Sequence, residues 1–298
     1  MIRLGVEAME EKKNKHILIK IIIITITILT GLMLYSRFIS TKGLKVKEYK
    51  ITNSIITDNF HGFKVVHISD IHYGRTVKLK ELENLTNEIN LLKPDIVILT
   101  GDLIDKETKL SSEIIEEIQN TLKKINVTVG KYAISGEDDI AFNEWESIIT
   151  NSGFKNINDK YEFIYNDGYT PILIAGIQSN SNTPETLIER YQPIEEYLNS
   201  DEYLNNIYKI LIMHEPDFID NINHSYFNLI LAGHSHNGQI NIPLFGAITT
   251  PDHAKKYYDN YYRINNSDFY ISSGLGTSDY NFRFANKPSI NFYRLSNK

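Results

Sequence analysis

Five short apolar runs in this chain each end at an acidic or histidine side chain, and this recurrence constrains the fold more than any other feature. Apolar runs of this length predict β-strands. The motifs at their ends are, in chain order, Asp70-Ile71-His72, Gly101-Asp102-Leu103-Ile104-Asp105, Gly136-Glu137-Asp138, His214 and Gly233-His234-Ser235-His236. Structural roles would scatter such side chains over both ends of a sheet. Their repetition therefore predicts a functional site at the carboxyl ends of several strands.

The spacing of apolar residues elsewhere predicts strands that alternate with helices. The run at residues 95–100 is apolar almost throughout, which is typical of a sheet covered on both faces. We expect further strands at 63–69, 132–134, 172–175, 207–213 and 229–232, helices at 79–92, 114–124, 142–151 and 193–204, and a β-rich tail from residue 240. Alternating strands and helices followed by a β-rich end indicate a layered α/β domain.

The N-terminal part of the chain has a different character. Residues 17–35 are almost uniformly apolar and would form a helix of about 29 Å, close to the ~30 Å hydrocarbon thickness of a bilayer. A buried helix of a globular domain would need only an apolar stripe, whereas this segment is apolar on all sides. No clear small-residue cleavage pattern follows it, so we expect an uncleaved membrane anchor rather than a removed signal peptide.

Charge and composition argue against several classes of function. The net charge of −6 argues against a nucleic-acid-binding protein, which normally carries a basic face. The chain has no cysteine, which removes disulfides, zinc–thiolate sites and cysteine nucleophiles together. Basic residues lie on both sides of the apolar segment, so the positive-inside rule leaves the orientation of the anchor open.

The side chains at the strand ends favour a site for transition metals. Carboxylates mixed with imidazoles suit manganese, iron, zinc or nickel better than calcium. The motifs offer more ligands than one ion needs. Two ions about 3.5–4 Å apart that share a carboxylate would use them, and such a pair can hold a hydroxide for in-line displacement at phosphorus.

The series D-x-H, G-D-x-x-D, G-N-H-[DE], H and G-H-x-H resembles that of the calcineurin-like metallophosphoesterases, over about residues 60–296. Residues 233–239, GHSHNGQ, are similar to the G-H-[ST]-H-G-G-Q motif of the membrane-anchored bacterial branch. The resemblance implies a four-layer α/β/β/α sandwich. The chain would then divide into a polar tail (1–16), a transmembrane anchor (17–36), a tether with a first strand (37–59) and the metallophosphoesterase domain (60–298).

The same resemblance assigns a role to each motif residue. The metal ligands would be Asp70, His72 and His236 on the first divalent ion, Glu137, His214 and His234 on the second, and Asp102 bridging them. Asp102 would thereby take part in catalysis. Asp105 would orient a ligand by hydrogen bonds, while Gly101 and Gly233 would let the backbone approach the ions. Manganese is the favoured metal.

The third motif departs from the family, because Glu137-Asp138 stands where the family has Asn-His. Glu137 can ligate a metal in place of the amide. The family's histidine donates a hydrogen bond to the transition state, whereas an ionised Asp138 about 4–5 Å from a phosphate would repel it by roughly 3–4 kcal/mol. A protonated Asp138 would instead be a catalytic general acid. Two interpretations follow: an active hydrolase, or a metal-binding relative with impaired catalysis.

Asn237, Gln239 and Arg283 are candidate substrate contacts, with Arg283 best suited to phosphate. Among the loop histidines, His253 is the best candidate to replace the missing one. We expect a single-pass membrane hydrolase of phosphodiester or pyrophosphate bonds, similar to UDP-diacylglucosamine hydrolases, with a lipid-linked substrate. The alternative is a phosphomonoesterase. The resemblance implies a domain outside the cytoplasmic membrane, and no obligate protein partner is expected.

Overall fold

A computed structural model describes residues 2–179 and 184–298, which contain five α-helices and fourteen strands. Met1, the first residue of the predicted tail, lies outside the described residues. The helices are α1 (Ile2–Phe38), α2 (Leu79–Leu92), α3 (Ser112–Lys123), α4 (Trp145–Asn151) and α5 (Pro184–Leu198). The strands are β1 (Lys45–Thr52), β2 (Lys64–Ile68), β3 (Ile96–Thr100), β4 (Gly130–Ile134), β5 (Lys155–Asn156), β6 (Lys160–Ile164), β7 (Ile172–Gly176), β8 (Lys209–Ile212), β9 (Leu229–Ala232), β10 (Asn241–Ile242), β11 (Gly246–Ala247), β12 (Tyr261–Ile264), β13 (Ser267–Ile271) and β14 (Ser289–Ser296).

Two six-stranded sheets form the centre of the domain. The first has the order β1-β14-β2-β3-β4-β5, with β2 to β5 parallel and β14 antiparallel to β2. The second has the order β12-β13-β9-β8-β7-β6, with β13, β9, β8 and β7 parallel. Within each sheet, the parallel strands have their carboxyl ends on the same side, and the five motifs begin at these strand ends.

Three buried clusters separate four layers of the fold. Val65 and Leu231 pack between the two sheets. Their neighbours point to the opposite faces: Val66 packs with residues of α2, α3 and α4, and Ile230 packs with residues of α5. Because these strands are buried on both faces, their sequences are apolar runs without a polar side. The predicted four-layer α/β/β/α sandwich is confirmed.

Helix α2 lies at the predicted positions. The helix predicted at residues 193–204 is wrong in both of its bounds. α5 runs from Pro184 to Leu198 and contains Pro193 in its interior. Proline favours the first turn of a helix, which makes Pro193 a misleading start signal. The buried stripe begins earlier, at Leu187, and continues through Tyr191 and Leu198 at helical spacing. The short strands β5 and β6 at the sheet edges were not predicted.

Helix α1 contains the apolar segment and extends beyond it in both directions. Its part Lys12–Phe38 is long and apolar enough to cross a membrane, with a mean hydropathy of 2.6 over a stretch that is not buried in the protein. Its carboxyl end is attached to the domain, because Ser36 O accepts a hydrogen bond from Arg283 N at 3.0 Å. The rings of Tyr35 and Phe284 also pack edge to face, with centroids 6.3 Å apart. α1 is therefore a candidate membrane span fixed to the loop before β14.

Candidate metal centre

The backbone at the strand ends is strained where the predicted ligands lie. A positive φ is found at Asp70 (51°), His72 (45°), Asp102 (53°), His234 (64°) and His236 (46°). This left-handed conformation costs residues other than glycine roughly 1–2 kcal/mol each. Such strain persists only where the surrounding structure enforces it, and it clusters at functional sites.

Two glycines let the chain come close to these ligands. Gly101 has a φ of 93°, and a Cβ there would lie 2.6 Å from His214 Nδ1. A Cβ on Gly233 would lie 2.8 Å from Asp70 Oδ2. Since real Cβ atoms are not found at such distances, a side chain at either position would displace a predicted ligand.

Asp70, His72 and His236 form a first donor set at the ends of β2 and β9. His236 Nε2 lies 3.1 Å from His72 Nε2 and 3.6 Å from Asp70 Oδ1. Ligands about 2.0–2.2 Å from a shared ion are separated by up to about 4.4 Å. Both distances fall within this limit, so the three side chains can hold one ion.

Asp102 lies between this set and a second one. Its Oδ2 is 3.7 Å from His72 Nε2 and 3.3 Å from His214 Nε2. His214 Nδ1 donates to the backbone carbonyl of Thr100 at 2.6 Å, and this bond leaves Nε2 as the free nitrogen that faces Asp102. One carboxylate oxygen therefore faces imidazoles of both sets.

Glu137 and His234 complete the second set. His234 Nδ1 lies 3.6 Å from Glu137 Oε1, while its Nε2 donates to the carbonyl of Asp252 at 2.7 Å. The rings of His234 and His214 are adjacent, with centroids 5.1 Å apart. The Glu137 side chain is 34% exposed, whereas the two imidazoles are almost fully buried, so this set is open on the Glu137 side.

The electrostatics of the cluster fit bound cations. Within the described residues, Asp70 Oδ2 and His214 Nε2 are buried atoms without a hydrogen-bond partner, which costs roughly 1–3 kcal/mol each. Burial alone would lower the pKa of His72, but the neighbouring carboxylates of Asp138 and Asp102 raise that pKa to about 9. Burial, with the charge of Asp102, raises the pKa of Asp139 to about 7. Divalent ions would satisfy the unpaired atoms and neutralise this excess of carboxylates.

Asp138 contacts His72 rather than standing free in the cavity. Its Oδ2 lies 3.2 Å from His72 Nδ1 and accepts the backbone N–H of Lys106 at 3.2 Å. Its Oδ1 lies 3.7 Å from Lys106 Nζ. Asp105 Oδ2 lies 3.7 Å from the same His72 nitrogen and accepts from Arg75 Nε at 2.6 Å. Carboxylates that hold the outer nitrogen of a histidine fix the ring with its other nitrogen towards a metal.

The prediction that Arg283 contacts a substrate is wrong. Its side chain is fully buried, donates to Gly276 O through Nε at 3.2 Å, and has Nη2 3.3 Å from His236 Nδ1. The guanidinium therefore lies behind a predicted ligand and not in the cavity. Burial, the charge of His72 and the charge of Arg283 lower the pKa of His236 well below its usual value. His236 is thus kept as the neutral imidazole that can ligate.

The other three polar predictions near the site are also corrected. Gln239 holds a neighbouring loop, because its Nε2 donates to Tyr280 O at 2.8 Å and its Oε1 accepts from Ser278 N at 3.0 Å. Asn237 is buried in the turn after His236, and neither it nor Gln239 lines the cavity. The ring of His253 stacks on Phe218 with centroids 4.5 Å apart, so it does not replace the missing histidine.

A small cavity of about 50 Å³ opens over both donor sets. Among the residues that line it, the sequence analysis missed Arg75, Lys106 and Asp279. Lys106 directly follows the second motif and its side chain is 53% exposed. Arg75 follows the first motif by three residues, and its guanidinium also bonds the carbonyls of Ser278 and Asp279. The sequence signal that could have indicated Arg75 and Lys106 is that each basic residue closely follows a predicted metal-binding motif.

Asp139 is a further residue to which the sequence analysis gave no role. Its Oδ2 accepts from Gly136 N at 2.9 Å and its Oδ1 accepts from Ile104 N at 3.2 Å. These two bonds join the loops after β3 and β4. Asp139 therefore holds the third motif against the second, while Glu137 and Asp138 line the cavity.

The chain is similar in sequence to several known proteins. Residues 63–238 match the family model described as calcineurin-like phosphoesterase. The uncharacterized metallophosphoesterase YkuE of Bacillus subtilis is 30% identical over 265 residues, which cover 88% of each chain. A transmembrane protein with metallophosphoesterase domain of Danio rerio is 23% identical, over 90% of this chain and 61% of that protein. UDP-2,3-diacylglucosamine pyrophosphatase LpxG of Chlamydia muridarum is 21% identical, over 62% of this chain and 67% of that protein.

Proposed function

This chain belongs to the calcineurin-like phosphoesterase family, and on that premise we propose a membrane-anchored hydrolase of phosphodiester or pyrophosphate bonds that uses two divalent ions. The observation that carries the proposal is Asp102 Oδ2, which faces His72 Nε2 at 3.7 Å and His214 Nε2 at 3.3 Å. A carboxylate oxygen shared by two donor sets is the arrangement that a metal pair needs.

The proposed ligands are Asp70, His72 and His236 for the first ion, Glu137, His214 and His234 for the second, and Asp102 for both. When bound, the ions would lower the pKa of water to near neutrality and draw charge from the phosphate oxygens. The mixed carboxylate and imidazole donors suit manganese, iron, zinc or nickel, and of these we propose manganese. The backbone carbonyls of Thr100 and Asp252 orient two of the imidazoles, so the free nitrogens face the ions before a substrate arrives.

We propose that Asp138 positions His72 rather than donating a proton. Its carboxyl oxygens already face three donor groups, namely His72 Nδ1 and the backbone and side-chain nitrogens of Lys106. The Lys106 ammonium offsets the carboxylate charge that would otherwise repel a phosphate. Because that ammonium lies at the cavity and is half exposed, it can also donate a hydrogen bond to a phosphate oxygen or a leaving group.

The membrane anchor supports a lipid-linked substrate. α1 has the length and apolar composition of a membrane span, and its end is attached to the domain next to the metal centre. Among the relatives, one is named a transmembrane protein and another a pyrophosphatase of a diacylated sugar nucleotide. We propose that the domain faces outward from the cytoplasmic membrane. Protease treatment of intact, wall-stripped cells tests this, since a protected domain would mean the opposite orientation.

Hydrolysis by the detergent-solubilised full chain tests the proposed activity. With manganese, we expect turnover of bis-p-nitrophenyl phosphate at a higher kcat/KM than p-nitrophenyl phosphate, and loss of both on Asp102→Ala. A faster monoester reaction would instead favour a phosphomonoesterase.

A second candidate function is metal binding without catalysis, which the Asp138 carboxylate at the cavity favours. Two bound ions per wild-type chain, no hydrolysis of either substrate and a gain of activity in Asp138→His would support it and refute an active hydrolase.

A further inference from the structure

Outside α1, an apolar surface is exposed on the hairpin formed by β10 and β11. Its turn residues Leu244 and Phe245 are 103% and 87% exposed, and Ile248 is 62% exposed. Residues 240–251 include no charged side chain. Exposed strands normally carry charges that prevent association, and a contiguous apolar surface marks a contact with a protein or a membrane.

The base of this hairpin is attached to the end of α1. Asn241 N donates to Phe284 O at 3.0 Å, and the Phe284 ring packs against Tyr35 in the last turns of α1. Leu244 is three residues beyond Asn241, so its Cα lies at most about 11 Å from that point. The exposed apolar residues are therefore held close to the end of the apolar span.

We propose that residues 242–248, the hairpin tip, insert into the membrane surface beside α1 as a second attachment of the domain. The inference rests on the proposed membrane anchor. A bilayer that surrounds the apolar part of α1 ends near Tyr35, at the level where the hairpin is attached. Interfacial elements bury their apolar face about 5–10 Å into the boundary between headgroups and acyl chains, which is within the reach of the tip.

The basic residues around this part of the domain fit the same occupant. Half-exposed Arg37 follows the apolar span, and Lys255 and Lys256 follow the hairpin, with side chains 57% and 60% exposed although they pair with Asp252 and Asp220. An apolar tip between basic residues matches an interface in which acyl chains lie beneath anionic headgroups.

The hairpin also connects the membrane surface to the metal centre. Strand β10 begins five residues after His236, and the chain returns from the hairpin to Pro251, which lines the cavity. The next residue, Asp252, holds His234 through its carbonyl at 2.7 Å. An inserted tip would therefore keep the cavity next to the headgroups. This geometry suits a lipid whose scissile phosphate lies at headgroup level.

Site-specific fluorescence on the full chain can test the insertion, because the native sequence has no cysteine. The Phe245→Cys variant is labelled with NBD at the new cysteine and reconstituted into vesicles of phosphatidylethanolamine and phosphatidylglycerol. Tyr169→Cys is the matched control, since Tyr169 is 101% exposed in the loop before β7, at the end opposite the motifs. We expect the label at 245 to be blue-shifted and quenched at least threefold more by doxyl-labelled lipids than the label at 169.

Equal quenching of both labels by aqueous iodide would overturn the proposal. A blue shift without lipid quenching would also overturn it, since it would mean burial in another protein or in a second copy of this chain. Leu244→Cys repeats the measurement if Phe245→Cys does not fold. Hydrolysis of bis-p-nitrophenyl phosphate by the labelled chains should stay within twofold of wild type. If the wild-type chain did not hydrolyse bis-p-nitrophenyl phosphate, the proposed function would be refuted, but the fluorescence result would remain valid.

Discussion

The two donor sets of the metal centre differ in how closely the protein encloses them. In the first set, the side chains of Asp70, His72 and His236 are at most 4% exposed. In the second, Glu137 is 34% exposed although its neighbours are buried. The ligands of the enclosed set keep the residue types of the family motif, and the one proposed ligand that departs from it, Glu137, lies at the open position.

Solvent access explains why the open position tolerates a change. A new side chain at an enclosed position leaves a buried polar partner unpaired, whereas water can satisfy the partners of a half-exposed side chain. The additional negative charge of Glu137 is tolerated for the same reason, because solvent partly screens its carboxylate. The enclosed set should therefore be sensitive to substitution and the open set adaptable.

The largest effect should come from Asp102, which both sets share. Asp102→Ala removes the oxygen that faces His72 and His214, so neither ion keeps its geometry. We expect kcat/KM for bis-p-nitrophenyl phosphate to fall by roughly 10³-fold or more, since a metal ion contributes several kcal/mol of charge stabilisation. Metal content by mass spectrometry should fall below two ions per chain. An active variant with two bound ions would contradict the bridging role.

A direct comparison of the two sets comes from Asp70→Ala and Glu137→Ala. We expect activity losses of about 10²- to 10³-fold for Asp70→Ala and about tenfold for Glu137→Ala. Excess manganese should restore much of the activity of Glu137→Ala, because water can fill a half-open coordination position. It should not rescue Asp70→Ala. Equal rescue of both variants in a manganese titration would break the distinction between the sets.

The clustering of the proposed ligands could be predicted from sequence because each strand that positions them is apolar on both faces and ends abruptly. Val65 and Val66, for example, face different buried clusters, so the strand has no polar face. The end of the strand can therefore be recognised in the sequence as the point where the apolar run stops. His234 and His236 then follow a glycine at the end of β9, where the chain must turn. Local pattern and residue type suffice for this part of the site.

Other parts depend on contacts between distant segments and have no local signal. β14 inserts between β1 and β2, although at least 220 residues separate it from either strand. The loop before it places Arg283 behind His236, and nothing beside Arg283 in the sequence distinguishes a buried guanidinium from one that binds phosphate. Similarly, Asp138 has no basic neighbour in its own motif, but Lys106 from another loop faces it.

Asp138→Asn should have a smaller effect than loss of a ligand from the enclosed set. Residues that orient a metal-bound histidine typically contribute 10- to 100-fold in metal affinity or activity, and we expect a loss in that range. The manganese concentration needed for half-maximal activity should rise, because His72 loses its carboxylate partner. The basic limb of the pH–rate profile should remain. Asp279→Asn, which removes a 73%-exposed carboxylate beside the same Lys106, is the matched control.

Loss of that basic limb in Asp138→Asn would identify Asp138 as a general acid, since a proton donor must be protonated for the reaction. The same variant therefore distinguishes a proton donor from a residue that positions His72. Unchanged manganese activation together with a lost limb would refute the positioning role.

An effect as small as that of Glu137→Ala is expected for Lys106→Met, which tests whether a lysine supplies the positive charge at the open side of the cavity. One charge-assisted hydrogen bond is worth roughly 1.5 kcal/mol or more, so kcat/KM should fall about tenfold. Manganese activation should not change, because Lys106 does not face a proposed ligand atom. Lys155→Met, which breaks an exposed ion pair with Glu162, is the matched control and should have no effect on kcat/KM. Lys106→Arg should retain most activity. Full activity in Lys106→Met would show that the Asp138 carboxylate needs no compensating charge at the cavity, and it would refute the proposed role of Lys106.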